Sequence, residues 1–482
     1  MLIGALTAVR LGLCGAFELQ GDEAYFWRWS QHLDWCYYSK GPGIAVLIRI
    51  GTSLFGDSEL GVRLLAVLAA AGASLALFEL GRALGSPRLG FWTVVVANTT
   101  PLWSAGSLLA TADMPSILAW TAAALAFWRI RGSASPLRWA ALGLLLGLGT
   151  LVRFVVAVEP LAFALYLAGD RASRRRLREP GFASMLAALA ATLVPLAVWQ
   201  LRHGGITWTH LWERGGFDRP WGLHPLAFAE FAALQFAVVL PYGVAALAAY
   251  GRRAREALGD DAYRYLRALS LPLLGCYALL ALNRPGQPNW TGPAYVAVAV
   301  VVVAAFGSPS GGSQRMRRLA AATLILAILL TIGLHLAVVG ARLPGLRNPL
   351  NRLRGSRDLA NQIAVAARRR GAAFVIGDHY QLASLLSFYL PDDLSDRADV
   401  YTPCGERPAN QLDLWGGYGD SLLGKDALYV SASGEVPAVL ARQFAAIEPL
   451  PSLTTHWRGE PVNRFYVFDC RRLVRSCAGT GP

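Results

Sequence analysis

Lysine is nearly missing from this chain: Lys40 and Lys425 are its only two, and arginine carries the rest of the positive charge. Charge of either sign is also scarce. Charged residues make up 16% of the 482, against about 25% in soluble globular proteins, and the deficit excludes an ordinary water-soluble domain. No cleavable leader is apparent, because the apolar block Leu2–Phe17 has no basic segment ahead of it and no small-residue cleavage site after it. That block reads instead as a span doubling as an export signal, short and starting almost at Met1, which leaves room for an upstream start. Internal repeats are missing too, and the six cysteines show no metal-binding spacing. The net charge of +14 comes without an aromatic platform or basic stripe beside the arginines, so nucleic acid is excluded as a partner.

Hydrocarbon is what the chain has in quantity. Hydrophobic residues reach 54%, gathered into blocks such as Leu60–Leu80, Leu186–Leu201 and Leu319–Ala341. A span needs roughly 20 such residues, and the blocks within 1–341 give about eleven transmembrane helices. If the first block runs outward, alternation puts Arg82, Arg129, Arg131, the cluster Arg171–Arg178, Arg252–Arg255 and Arg315–Arg318 inside. Loops 18–44, 111–115, 202–225, 283–293 and a tight turn at Arg153 then fall outside, where positive charge is sparser. One assumption orders every loop.

From Arg342 the composition becomes mixed, and Gly307–Ser313 resembles a low-complexity linker. Helices are expected at Asp358–Arg370, Tyr380–Tyr389 and Val436–Phe444, with strands at Ala373–Gly377, Ala427–Ser431 and Arg464–Asp469. The expected architecture is a mainly α, polytopic membrane region over 1–341 and a periplasmic α/β domain over 342–482. Export would permit a Cys404–Cys470 or a Cys404–Cys477 disulfide.

The first outside loop, 18–44, holds the densest chemistry. Asp22 and Glu23 stand where the first span ends, an aromatic stretch follows, and Tyr37-Tyr38-Ser39-Lys40-Gly41-Pro42 precedes the return to apolar sequence. The aromatic stretch fits an interfacial helix over Ala24–Leu33. A carboxylate at a membrane surface can take the proton of an acceptor hydroxyl or hold a divalent metal. A cation such as Lys40 can stabilise a departing lipid phosphate. Two plainer readings stand beside these: an acidic pair capping a helix, and a lysine snorkelling to the interface.

The stretch from Gly21 to Leu64 resembles the first loop and second span of bacterial C-type glycosyltransferases, the protein mannosyltransferase and aminoarabinose transferase-like enzymes. Asp22-Glu23-Ala24 and Tyr38-Ser39-Lys40-Gly41-Pro42 carry the likeness, and it continues through Thr111–Pro115, Leu151–Phe154 and Gln287–Trp290. In the tail, Asp378–Ala383 and Asn410–Trp415 share it. The resemblance implies a GT-C fold, a polyprenyl-phosphate sugar donor, and an envelope acceptor: lipid A, lipopolysaccharide core, polysaccharide or protein. It implies Asp22 as the base or metal-linked carboxylate activating the acceptor, and Lys40 at the donor phosphate; Glu23 stands beside Asp22 as a catalytic candidate, and Tyr37 and Tyr38 beside Lys40 as donor-phosphate candidates. Gly41 replaces the first of two usual prolines, which loosens that turn. Ser39 replaces a glutamate implicated in metal binding, so the metal site is incomplete in pattern.

Further candidates lie in the other outside loops. Asp113 is an ionisable group near membrane depth, read as catalytic or as a helix cap. Arg153 could grip the donor phosphate or snorkel. Tyr25 and His32 of the first loop, with Arg214, Gln287, Asn289 and Trp290, offer hydrogen bonds and stacking surfaces for a sugar, and loop 202–225 also holds His203 and His210. The expected function is inverting transfer of a monosaccharide to an envelope hydroxyl, at the outer face of a bacterial inner membrane. The competing reading is a lipid-linked sugar flippase or transporter, which would gather its polar residues near the midplane and in repeated halves.

Overall fold

In a computed structural model, the described residues are 1–218, 220–243, 245, 251–284, 286–307, 314–340, 350, 353–391, 400–405 and 407–477. Arg342 and most of Gly307–Ser313 lie outside them. Packing divides the chain into two compact units: Met1–Leu11, Lys40–Leu47 and Arg63–His335 form one, and Gly12–Ser39, Ile48–Val62 and Leu336–Pro482 form the other.

The first unit is helical. Glu59–Leu84, Pro180–Arg202 and Arg318–Val338 are long and apolar enough to cross a membrane, and shorter apolar helices such as Pro136–Val152, Phe154–Ala168 and Ala294–Phe306 accompany them. Starts are marked by side chains that replace missing backbone partners. Ser86 accepts from the Leu89 N–H at 3.2 Å ahead of Pro87, and Thr100 accepts from Trp103 at 3.3 Å ahead of Pro101. Gly143 and Gly147 lie flush against Met185 and Thr192, so helices Pro136–Val152 and Pro180–Arg202 pack closely through small residues. An aromatic core locks the centre: Phe127 stacks on Phe163 with centroids 4.1 Å apart, and the Tyr265 hydroxyl donates to the Ala124 carbonyl at 2.7 Å. Some polar groups inside are paired. Arg10 donates to Asn98 at 2.8 Å, and Asn98 donates onward to Ser74 at 3.1 Å.

The second unit is built on a sheet. Its strands are β1 Phe374–Gly377, β2 Val400–Tyr401, β3 Ala427–Ser431, β4 Phe444–Pro449, β5 Leu453–Trp457 and β6 Glu460–Leu473. They run in the order β2-β1-β3-β6-β4, with β5 pairing β6. β1 lies parallel to β2 and β3, whereas β6 runs antiparallel to β3, β4 and β5. Helices Ser356–Arg370 and Tyr380–Tyr389 match expectation to within two residues.

The helix expected at Val436–Phe444 is a correction. Only Ala438–Ala441 is helical, and Phe444 begins β4, paired with Leu473. Alanine-rich sequence favours helix locally, but the long strand β6 supplies an edge that outweighs that preference. Of the two disulfides left open, Cys404–Cys477 forms, and Cys470 is a buried thiol whose burial pushes it up to about 12. The bond closes a separation of 73 residues. Replacing both cysteines by serine is expected to lower the stability of this unit by about 2–4 kcal/mol, the loop-entropy magnitude. An unchanged unfolding temperature of the full chain in detergent, with and without reductant, would contradict this.

Candidate active site

The acidic pair divides. Helix Gly21–Gln31 begins directly at it, three residues before the expected start. Glu23 is fully buried, and its carboxylate accepts from the Gln20 N–H at 2.9 Å, so it closes the first turn as a cap. The catalytic reading of Glu23 is thus replaced by the plainer one. Asp22 is half-buried and takes a different path. Its Oδ1 accepts from Gln381 Nε2 at 2.8 Å and from the Tyr380 hydroxyl at 3.4 Å. Among the described residues, Oδ2 has no hydrogen-bond partner.

The loop tyrosines hold this arrangement together. Tyr25 is buried, its ring 4.4 Å from that of Tyr380, and its hydroxyl accepts from the Gln411 N–H at 2.6 Å. Burial raises its hydroxyl above the usual tyrosine range. The Tyr38 N–H donates to Gln411 Oε1 at 2.7 Å. Tyr37 is fully buried and stacked on Trp29 at 4.4 Å, its hydroxyl 3.0 Å from the Trp29 and His32 carbonyls. Tyr25 and Tyr37 are therefore packing residues, and neither is open to a sugar or phosphate. His32 is exposed, with its ring 4.8 Å from Trp415.

A second cluster lies in the first unit. Asp113 opens helix Asp113–Ile130, with Ala112 at the cap position. Its carboxylate pairs with Arg153, accepts from Asn289 Nδ2 at 3.0 Å on both oxygens, and accepts from the Thr111 hydroxyl at 2.9 Å. So engaged, Asp113 suits fastening better than proton transfer. Arg153 sits in extended backbone where helix Pro136–Val152 ends and the short turn Phe154–Val158 begins. Three residues considered separately in sequence thus meet at one point.

Lys40 stands beside the same turn. A Cβ at residue 41 would collide with the Leu151 carbonyl, and one at residue 43 with Val152. Gly41 therefore does not loosen the turn; it permits the backbone to close on Leu151, two residues before Arg153. Helix Ile206–Arg214 brings His210, whose imidazole is lowered to about 4 by burial and then by the charges of Arg214 and Lys40. Arg214 lies over the Trp290 ring at 5.2 Å. Gln287 is exposed at the head of the turn Pro288–Thr291.

Among the described residues, no three His, Cys, Asp or Glu side chains come together to hold a metal ion. Asp22, the residue put forward for one, meets an amide and a phenol instead. The donor set does not fit a divalent cation, and no step below uses one. Gln381, Tyr380 and Gln411 carry more of the site than their sequence suggested, since the tail motifs containing them had no assigned role.

Two outcomes are expected. Asp113→Ala leaves Arg153, 15% exposed, without its carboxylate, and should cost about 3 kcal/mol in unfolding experiments, with the Asp113→Ala/Arg153→Ala pair costing less than the two single changes combined. Strict additivity would mean the pair is not coupled. His210 protonates near 6.5 unfolded and about 4 folded, so stability should fall as pH drops through that window. A His210→Gln variant should show a shallower fall; an identical curve would disprove the shift.

Residues 39–199 match the family described as dolichyl-phosphate-mannose-protein mannosyltransferase. The lipid A galacturonosyltransferase RgtD of Rhizobium johnstonii is 29% identical over 392 residues, covering 80% of each chain. In fold the chain is similar to ArnT from Cupriavidus metallidurans in the apo state, with a TM-score of 0.65 at 15% identity over 97% of both chains. The same enzyme bound to undecaprenyl phosphate gives 0.63 at 17% identity, again over 97% of both. With its helical membrane region and its C-terminal sheet the chain shares the fold of these GT-C structures, and in sequence it is similar to glycosyltransferases of the protein mannosyltransferase and aminoarabinose transferase type.

Proposed function

We propose that this glycosyltransferase moves a monosaccharide from a polyprenyl-phosphate donor to a hydroxyl of lipid A, with inversion, on the periplasmic face of the inner membrane. The observation that carries the reading is the divided acidic pair: Glu23 is occupied as a cap, while Asp22 is held through Oδ1 with Oδ2 open. Support for the acceptor comes from a relative named as a lipid A galacturonosyltransferase, and for the donor from ArnT bound to undecaprenyl phosphate. The arginine distribution and the Cys404–Cys477 bond are consistent with export of the C-terminal unit.

In this mechanism Asp22 Oδ2 takes the proton of the acceptor hydroxyl as its oxygen attacks the anomeric carbon. The carbon–oxygen bond to the lipid phosphate breaks on the opposite face, through a transition state of oxocarbenium character. Lys40 and Arg214, with Arg153 beside the same turn, meet the charge that develops on the departing phosphate. The lowered His210 fits this role, because part of its shift comes from positive charge that an entering anion would offset.

Purified protein in proteoliposomes, supplied with undecaprenyl-phosphate galacturonate and lipid A, tests the reading. Asp22→Asn should abolish transfer while donor binding persists; normal turnover would sink the assignment. Lys40→Ala should weaken donor affinity by about 10- to 100-fold, the loss of a charge-assisted hydrogen bond of ~1.5–3 kcal/mol. Sugar crossing the membrane without appearing on lipid A would favour the transporter reading instead.

A further inference from the structure

The α/β domain grips the acidic loop at several points within their shared unit. Helix Tyr380–Tyr389 packs along helix Gly21–Gln31, with Trp27 edge-on to Phe388 at 4.9 Å and Tyr389 accepting the Leu19 N–H at 2.7 Å. Gln411 fastens the loop twice more, to the Tyr25 hydroxyl and the Tyr38 N–H. These contacts bring Gln381 to Asp22 with little slack. A Cβ on Gly21 would overlap the Gln381 side chain at its root, where it cannot swing aside. Glycine at 21 is therefore what lets the amide reach Oδ1 at 2.8 Å.

A carboxylate rotates about its last bond, and a base works only while one oxygen points at the proton it takes. A donor fixed on Oδ1 sets the orientation of Oδ2. Tyr380 adds a longer second bond to the same oxygen, and its ring is held by Tyr25. Both donors therefore act on one oxygen.

We propose that Gln381 is a positioning residue for Asp22, so that the α/β domain serves the reaction by fixing the orientation of its proton acceptor. This rests on the role of Asp22 given above. Gln381 touches no substrate in this account; its effect passes through Asp22. The expected signature is a loss in kcat with the donor KM unchanged.

The same proteoliposome assay decides it, run on the full chain with undecaprenyl-phosphate galacturonate and lipid A. Gln381→Met keeps the shape and removes the donor, and should lower kcat by about tenfold or more, the size of one hydrogen bond to a charged group. Gln381→Glu should be at least as damaging, Gln381→His should recover part of the loss, and Tyr380→Phe should lose less than Gln381→Met. Gly21→Ala should reproduce the Gln381→Met defect by pushing the amide away. Unfolding temperatures near that of the unaltered protein separate these effects from misfolding. Full activity in Gln381→Met, with Asp22→Asn inactive, overturns the positioning role alone. Transfer that survives Asp22→Asn, or no transfer by the unaltered protein, overturns the reading beneath it.

Discussion

A bilayer offers no water to an unpaired polar group, and that constraint bears on two polar clusters of the first unit. Arg10, Asn98 and Ser74 bond to one another in a chain, and Asp113 is met by an arginine, an amide and a hydroxyl. A carboxylate so thoroughly engaged holds its neighbours in register. It fixes Arg153 and Asn289 relative to each other although they come from distant segments, and Gly41 brings the Lys40 backbone to the same turn.

Much of this was legible in sequence, for reasons that differ by element. Composition and loop charge identified a membrane chain because partition into lipid is a bulk property. The helix Tyr380–Tyr389 was legible because its apolar residues repeat at helical spacing. The strand at Phe444 was not, since its pairing depends on β6, and no local pattern announces an edge that folds elsewhere. The roles of Asp22 and Glu23 could not be separated in sequence either. One residue of offset along a helix sends one carboxylate back to the cap and the other toward Gln381.

The meeting of Asp113, Arg153 and Asn289 had a signal that went unused. An acid near membrane depth needs a cationic partner, and the arginine of a neighbouring outside turn was the nearest available in topology. Separations of 40 and 176 residues hid the pairing from any local pattern. Gly41 illustrates the opposite failure. Its departure from the familial proline suggested a looser turn, yet in space it marks a tight backbone approach that only glycine allows.

The grip of Gln381 on Asp22 also has a consequence in time. Asp22 emerges from the ribosome 359 residues ahead of Gln381 and is followed still later by Gln411. During that interval the growing chain already carries Lys40, Arg153 and Arg214, but its carboxylate has no partner from the α/β domain. On the proposed reading, the residues assigned to the donor phosphate are therefore synthesised before the amide that orients the proposed base. The contact that fixes the Asp22 carboxylate thus becomes available only once the sheet domain has been made.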